Sequence, residues 1–151
     1  MKRILSGCLS AAVLSLAAWG FVAHAGAAES HAAAASGPGA DQPLAIRPLS
    51  PQLQWGPCPA IFPKGCEIAV LHGDPAHPNA DIFLRVPGGY RIPAHTHSSV
   101  ERMVLVTGQL NVQYRGAKMA PLTVGQYAFG PAKLPHKAVC VSKKPCTLFI
   151  A

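Results

Sequence analysis

Gly89-Tyr-Arg-Ile-Pro-Ala-His95-Thr-His97-Ser-Ser-Val-Glu101-Arg-Met-Val-Leu-Val-Thr-Gly108 sets two imidazoles and a carboxylate within seven residues, bracketed by glycines. The stretch otherwise reads as strand. Strand side chains alternate faces, so His95 and His97 are expected to point the same way. Glu101 follows on the same parity, and a barrel or sandwich would aim all three at one interior point. His136 opens a later apolar run and offers a third nitrogen. Three neutral imidazoles and one carboxylate form a ligand set for a divalent transition metal.

Outward from this stretch the chain reads as short strands separated by turn chemistry. Glu67–Leu71 is apolar and ends at His72-Gly-Asp-Pro75, and Asp81–Val86 alternates before Pro87-Gly-Gly89. Tyr90–His97 is a third extended piece, in which Pro93 fits an edge or a bulge. Arg102–Thr107 and Gln109–Tyr114 read as a hairpin about Gly108, with a further turn at Arg115-Gly116. Leu122–Val124, Tyr127–Phe129, Lys137–Val141 and Thr147–Ile150 complete the set. No amphipathic helix pattern emerges. Many short strands, with fifteen prolines and fourteen glycines in the chain, predict an all-β sandwich or barrel.

The N-terminal region has a different character. Lys2 and Arg3, the uncharged run Ile4–Val22 and the small-x-small site Ala23-His24-Ala25 predict a signal peptide over residues 1–25. An uncleaved anchor is the alternative, because the run is just long enough to span a bilayer. Leu5-Ser-Gly-Cys8 resembles an acylation box, but too few apolar residues precede it. Residues 26–43, rich in Ala, Gly, Ser and Pro, read as a flexible linker that buries too little surface to offset its ordering entropy. Residues 44–151 are then one domain with one core. Cleavage implies a periplasmic or secreted protein with no stable membrane association.

The chain carries thirteen Lys and Arg against six Asp and Glu, a net charge of +7. Without Lys2 and Arg3 the balance is eleven against six. These basic residues are scattered rather than striped, which argues against a nucleic-acid partner. Of five cysteines, Cys8 leaves with the signal and four remain, an even number that implies disulfides outside the cytoplasm. Cys58–Cys66 and Cys140–Cys146 is the simplest of three connectivities, the second pair facing across a five-residue hairpin loop. Free thiols and zinc ligation stay open as alternatives.

These residues resemble the cupin superfamily. Its first motif is glycine, five residues, His-x-His, three or four residues, Glu, six residues and glycine; Gly89, His95, His97, Glu101 and Gly108 match throughout. In the second motif Gly125, Pro131 and His136 match, while Lys133 replaces an inner glycine and Cys140 an asparagine. The resemblance implies a small jelly-roll barrel, or double-stranded β-helix, of two packed sheets. It also implies a metal (iron, manganese, zinc, nickel or copper) held by His95, His97, Glu101 and His136. Lys133 implies a turn that does not demand glycine's conformational freedom. Cys140, at even spacing from His136, is expected on the metal-facing side. Trp55-Gly-Pro, Val70–Pro75 and Arg85–Gly89 are similar to single-domain cupins related to the ChrR-type anti-sigma factor domain.

Other groups have plainer readings. His72 and His77 flank Gly73-Asp-Pro75 and read as turn residues. Trp55, Tyr90, Tyr114, Tyr127 and Phe129 are mostly expected to pack in the core. Arg91 and Arg102, on the opposite parity, face solvent, with an anion clamp at the barrel mouth as the alternative. Two functions compete. In the first, four protein ligands on an octahedral metal leave two positions open for a small molecule, supporting dioxygenase-like oxidation of an enediol, catechol or flavonol. Isomerase or lyase chemistry on a sugar or oxo-acid is its variant with zinc or manganese. In the second, the domain is a non-catalytic binding or sensor module. A homodimer joined through sheet edges is a further implication of the resemblance.

Overall fold

The structure is a computed structural model that describes residues 42–151. The expected signal peptide at 1–25, and the linker up to residue 41, lie outside the described residues. Ten strands follow in order: β1 (Trp55–Pro57), β2 (Glu67–His72), β3 (Asp81–Val86), β4 (Arg91–His95), β5 (Glu101–Thr107), β6 (Leu110–Tyr114), β7 (Ala120–Leu122), β8 (Tyr127–Gly130), β9 (His136–Cys140) and β10 (Cys146–Ile150). They form a six-stranded sheet ordered β1-β2-β3-β10-β5-β8 and a four-stranded sheet ordered β4-β9-β6-β7. All pairings are antiparallel. Among the described residues there is no helix, so the all-β expectation holds.

Alternation decides which side chains meet between the sheets. On β5, Glu101, Met103 and Leu105 are buried while Arg102 is exposed; on β9, His136, Ala138 and Cys140 are buried while Lys137 is exposed. One face of each strand is thereby committed to the interior. The core combines Leu84, Val86, Met103, Leu105 and Leu148 of the larger sheet with Ile92, Leu110, Val112 and Ala138 of the smaller one. The strands that carry Glu101 and His136 therefore line the same interior as the aliphatic core.

Two connections differ from the sequence reading. Arg102–Thr107 and Gln109–Tyr114 do not pair as a hairpin: β5 lies between β10 and β8, whereas β6 lies between β9 and β7. Gly108 (φ +85°) carries the chain from one sheet to the other. A Cβ there would stand 2.8 Å from Cys146 Sγ and 2.9 Å from Ser142 Oγ, so the close crossing needs glycine. Likewise Cys140 and Cys146 are bonded, but across the two sheets rather than across a hairpin, since β9 and β10 belong to different sheets.

Smaller differences have local causes. β7 comes two residues earlier than expected, and Trp55–Pro57 pairs with β2 as a short edge strand. Pro93 behaves as expected: β4 is an edge strand, and its register with β9 shifts between Ile92 and His95. Tyr127 and Phe129 are 56% and 48% exposed rather than core. They occupy the outward parity of β8, whose inward positions are Ala128 and Gly130.

Candidate metal centre

Four side chains converge from three directions. His95 ends β4 and is directly opposite His136, the first residue of β9. His97 lies beyond the strand end, and its carbonyl accepts a 2.8 Å hydrogen bond from the Lys133 N–H. Glu101 opens β5 in the other sheet, opposite Gly130. A single strand parity therefore does not run from His95 through Glu101. Only His95 belongs to β4, and the crossing segment 96–100 brings His97 and Glu101 to the site. The convergence survives because the crossing folds back over the same interior point.

Lys133 also corrects an expectation. Its φ is +63°, so the turn does demand the left-handed conformation that the matching glycine would supply. The lysine adopts it at a cost, and the turn keeps the shape that anchors His97.

The ligating atoms of His95, His97 and His136 all lie within 4.8 Å of one another. Glu101 Oε1 is 3.3 Å from His97 Nε2, and Oε2 is 3.3 Å from His136 Nε2. His136 and Glu101 are buried, at 5% and 6% exposure. His95 Nδ1 donates to the Pro93 carbonyl at 2.8 Å. A carbonyl can only accept, so this contact fixes the tautomer and leaves the Nε2 lone pair free. Burial holds the His95 pKa below the ordinary imidazole value, partly opposed by that Pro93 hydrogen bond, which favours the neutral ligand form. His97 moves the other way: the Glu101 carboxylate beside its ring raises it, against the pull of burial.

Despite these distances, His97 Nε2 and Glu101 Oε2 are buried without an aligned hydrogen-bond partner. His97 Nε2 faces Glu101 Oε1 and Glu101 Oε2 faces His136 Nε2, each at 3.3 Å, contacts that attract electrostatically without making an aligned hydrogen bond. Unpartnered buried polar groups are costly. A cation among three imidazole nitrogens and a carboxylate would satisfy them together, so the donor set fits a divalent transition metal.

Further residues shape the site. Tyr114, opposite His136 in register, places its ring 5.4 Å from that imidazole. A Cβ at Gly130 would stand 3.0 Å from the Tyr114 ring and 3.5 Å from Glu101 Oε2, so glycine there makes room for both. Phe62 was not singled out from the sequence, yet its ring meets His95 edge-on at 5.2 Å. It belongs to the loop closed by the Cys58–Cys66 disulfide, and Tyr90 Oη ties that loop down by donating to the Pro63 carbonyl. One aromatic inside a short Cys-bounded loop was the available signal. The centre opens into a cavity of about 320 Å³ between the sheets.

Other candidates stay outside the cluster. Cys140 points inward as expected, but it is disulfide-bonded and does not line the cavity. Asp74 accepts from the Ala76 N–H at 2.8 Å and contacts His77 Nδ1 at 2.9 Å, which is turn chemistry on an exposed loop. Arg91 and Arg102 are exposed, Arg102 at the cavity rim.

The cupin domain family matches residues 82–151. No match was found among curated proteins. Among solved structures the chain is similar to an RmlC-like cupin from Shewanella frigidimarina, with a TM-score of 0.54, 20% identity, and coverage of 66% of this chain and 83% of that one. It is also similar to KdgF from Halomonas sp., at TM-score 0.52, 16% identity, and 64% and 83% coverage. The Schizosaccharomyces pombe Cnp3 cupin domain matches at TM-score 0.51 and 14% identity, over 59% of this chain and 64% of that chain. At such identities the structures carry the fold alone, and nothing in them bears on the finer likeness to ChrR-type cupins. The motif residues, the two-sheet barrel and the family match together give one conclusion: this chain carries a domain of the cupin superfamily.

Proposed function

We propose that this chain is an exported cupin that binds one divalent transition metal through His95, His97, Glu101 and His136 and acts on a small molecule in its barrel as an oxidoreductase. The observation that carries this reading is three imidazole ligating atoms within 4.8 Å, beside a buried carboxylate, at the wall of a cavity large enough for a small molecule. Two disulfides support a periplasmic or secreted location, since such bonds persist in oxidising compartments.

When bound, the metal would supply Lewis acidity and, if it is iron, manganese, copper or nickel, electron transfer. The chain supplies the rest. Pro93 orients the His95 ring through Nδ1. Glu101 sets its Oε2 3.3 Å from His136 Nε2, so the carboxylate and that imidazole meet at one point. Phe62 and the aliphatic wall keep water from the interior. A second reading, a non-catalytic binding or sensor module, draws on one observation: beyond the ligands, no buried acid or base lines the cavity among the described residues.

Elemental analysis and oxygen-uptake assays on protein recovered from the exported fraction separate the two. Stoichiometric iron, manganese, copper or nickel, with oxygen consumption on an enediol or catechol, is the expected result. Tightly held zinc without turnover would move the assignment to the binding module.

A further inference from the structure

We infer that the cavity behind the ligands takes a compact molecule with an apolar body and a single oxygen-bearing head, and turns away polyhydroxylated molecules such as sugar acids. The head rests on the metal-centre reading above; the body rests on the cavity wall alone.

The wall is aliphatic on both sides. Ile82, Leu84, Met103 and Leu148 face it from the larger sheet, Ile92 and Leu110 from the smaller. Burial orients the space. The His97 side chain is 38% exposed and marks the open end, while Leu110 and Leu148, at 1% and 2%, mark the closed end. The head of an entering molecule therefore meets the ligands, and its remainder faces methyl groups. The volume of about 320 Å³ is at the small end for ligand cavities, which run from about 300 to 1,000 Å³.

The polar inventory decides the class of the body. The buried polar side chains on this wall are Glu101 and His136, both committed to the metal centre. The other polar lining side chains outside that centre, His77, Asn79, Ser99 and Arg102, are exposed at the rim. A hydroxyl carried into the interior would lose water without gaining a partner. Each such group weakens binding by roughly tenfold, whereas each buried methylene strengthens it by roughly fourfold. These terms act in opposite directions on molecules of equal length, so the selectivity is measurable.

Three acids with the same 2-hydroxycarboxylate head test it: glycolate, 2-hydroxyhexanoate and gluconate. Each is titrated calorimetrically into zinc-loaded protein whose zinc content has been measured. The expected result is that 2-hydroxyhexanoate binds at least tenfold more tightly than glycolate, with gluconate no tighter than glycolate. Gluconate binding as tightly as 2-hydroxyhexanoate would overturn the inference. If the protein takes up no zinc, the metal reading fails and the cavity is read separately. Methyl resonances of Leu110 and Leu148 in metal-free protein are then expected to shift on titration with 1-hexanol and not with sorbitol. Absence of the hexanol shift would overturn the apolar body as well.

Discussion

Lys133 holds a backbone conformation that side chains with a Cβ resist. Its φ of +63° costs about 1–2 kcal/mol relative to the right-handed region. The strain persists because its N–H donates to the His97 carbonyl and fixes the crossing segment. Lys133→Gly relieves the strain while giving up some denatured-state restriction. It is expected to raise stability by roughly 0.5–1 kcal/mol in urea denaturation. Unchanged or lower stability would show that the lysine side chain contributes more than its backbone costs. Tyr114 gives a pH signature. Burial, then the nearby Glu101 charge, pushes its phenol up to about 12 from the ordinary 10. A group raised on folding contributes stability that is fully present below its unfolded pKa and is lost as pH climbs through the folded one. The protein should therefore lose stability between about pH 10 and 12. Melting curves across that window are expected to fall less steeply for Tyr114→Phe than for the parent.

The connections between elements do more to build the site than the strands themselves. His95 and His136 come from adjacent strands, but His97 and Glu101 arrive through the crossing between sheets. The Cys140–Cys146 bond ties those sheets together beside Gly108, with Cα atoms 5.8 Å apart. Closing so short a loop restricts the unfolded chain modestly, so the Cys140→Ser/Cys146→Ser pair is expected to cost about 2–3 kcal/mol in denaturant unfolding. The Cys58–Cys66 loop has a different task, holding Phe62 against His95. Phe62→Ala is expected to leave the fold intact while raising solvent exchange at His95, read from its ring-proton resonances. An unchanged His95 environment would remove Phe62 from the site. Element pairing is where sequence reading stopped. A two-residue period shows that Arg102–Thr107 and Gln109–Tyr114 are strands, but it carries no information about their partners. Trp55–Pro57 escaped because three residues containing Gly and Pro offer no alternation to read.

At the scale of the whole molecule, the barrel brings together groups that neither sheet could assemble alone. The four clustered residues were legible as a group because their chemistry is unusual for an interior: two buried or half-buried imidazoles at His95 and His136, another at His97, and a buried carboxylate. Phe62 and the depth of the cavity were not legible, since a lone aromatic and a run of aliphatic residues have the same appearance in any core. Tyr127 and Phe129 mislead for a related reason. Aromatic residues default to the interior, yet β8 turns Ala128 and Gly130 inward, and a side chain at Gly130 would crowd Tyr114 and Glu101. The proposed centre has these four side chains holding one metal ion. It is tested most directly by calorimetric titration of metal-stripped protein with zinc, in parallel with the His136→Ala variant. One zinc per chain is expected for the parent, with a chelator-reversible rise in melting temperature and a loss of affinity of at least a hundredfold in the variant. Equal zinc affinity in both proteins, or none in the parent, would contradict it.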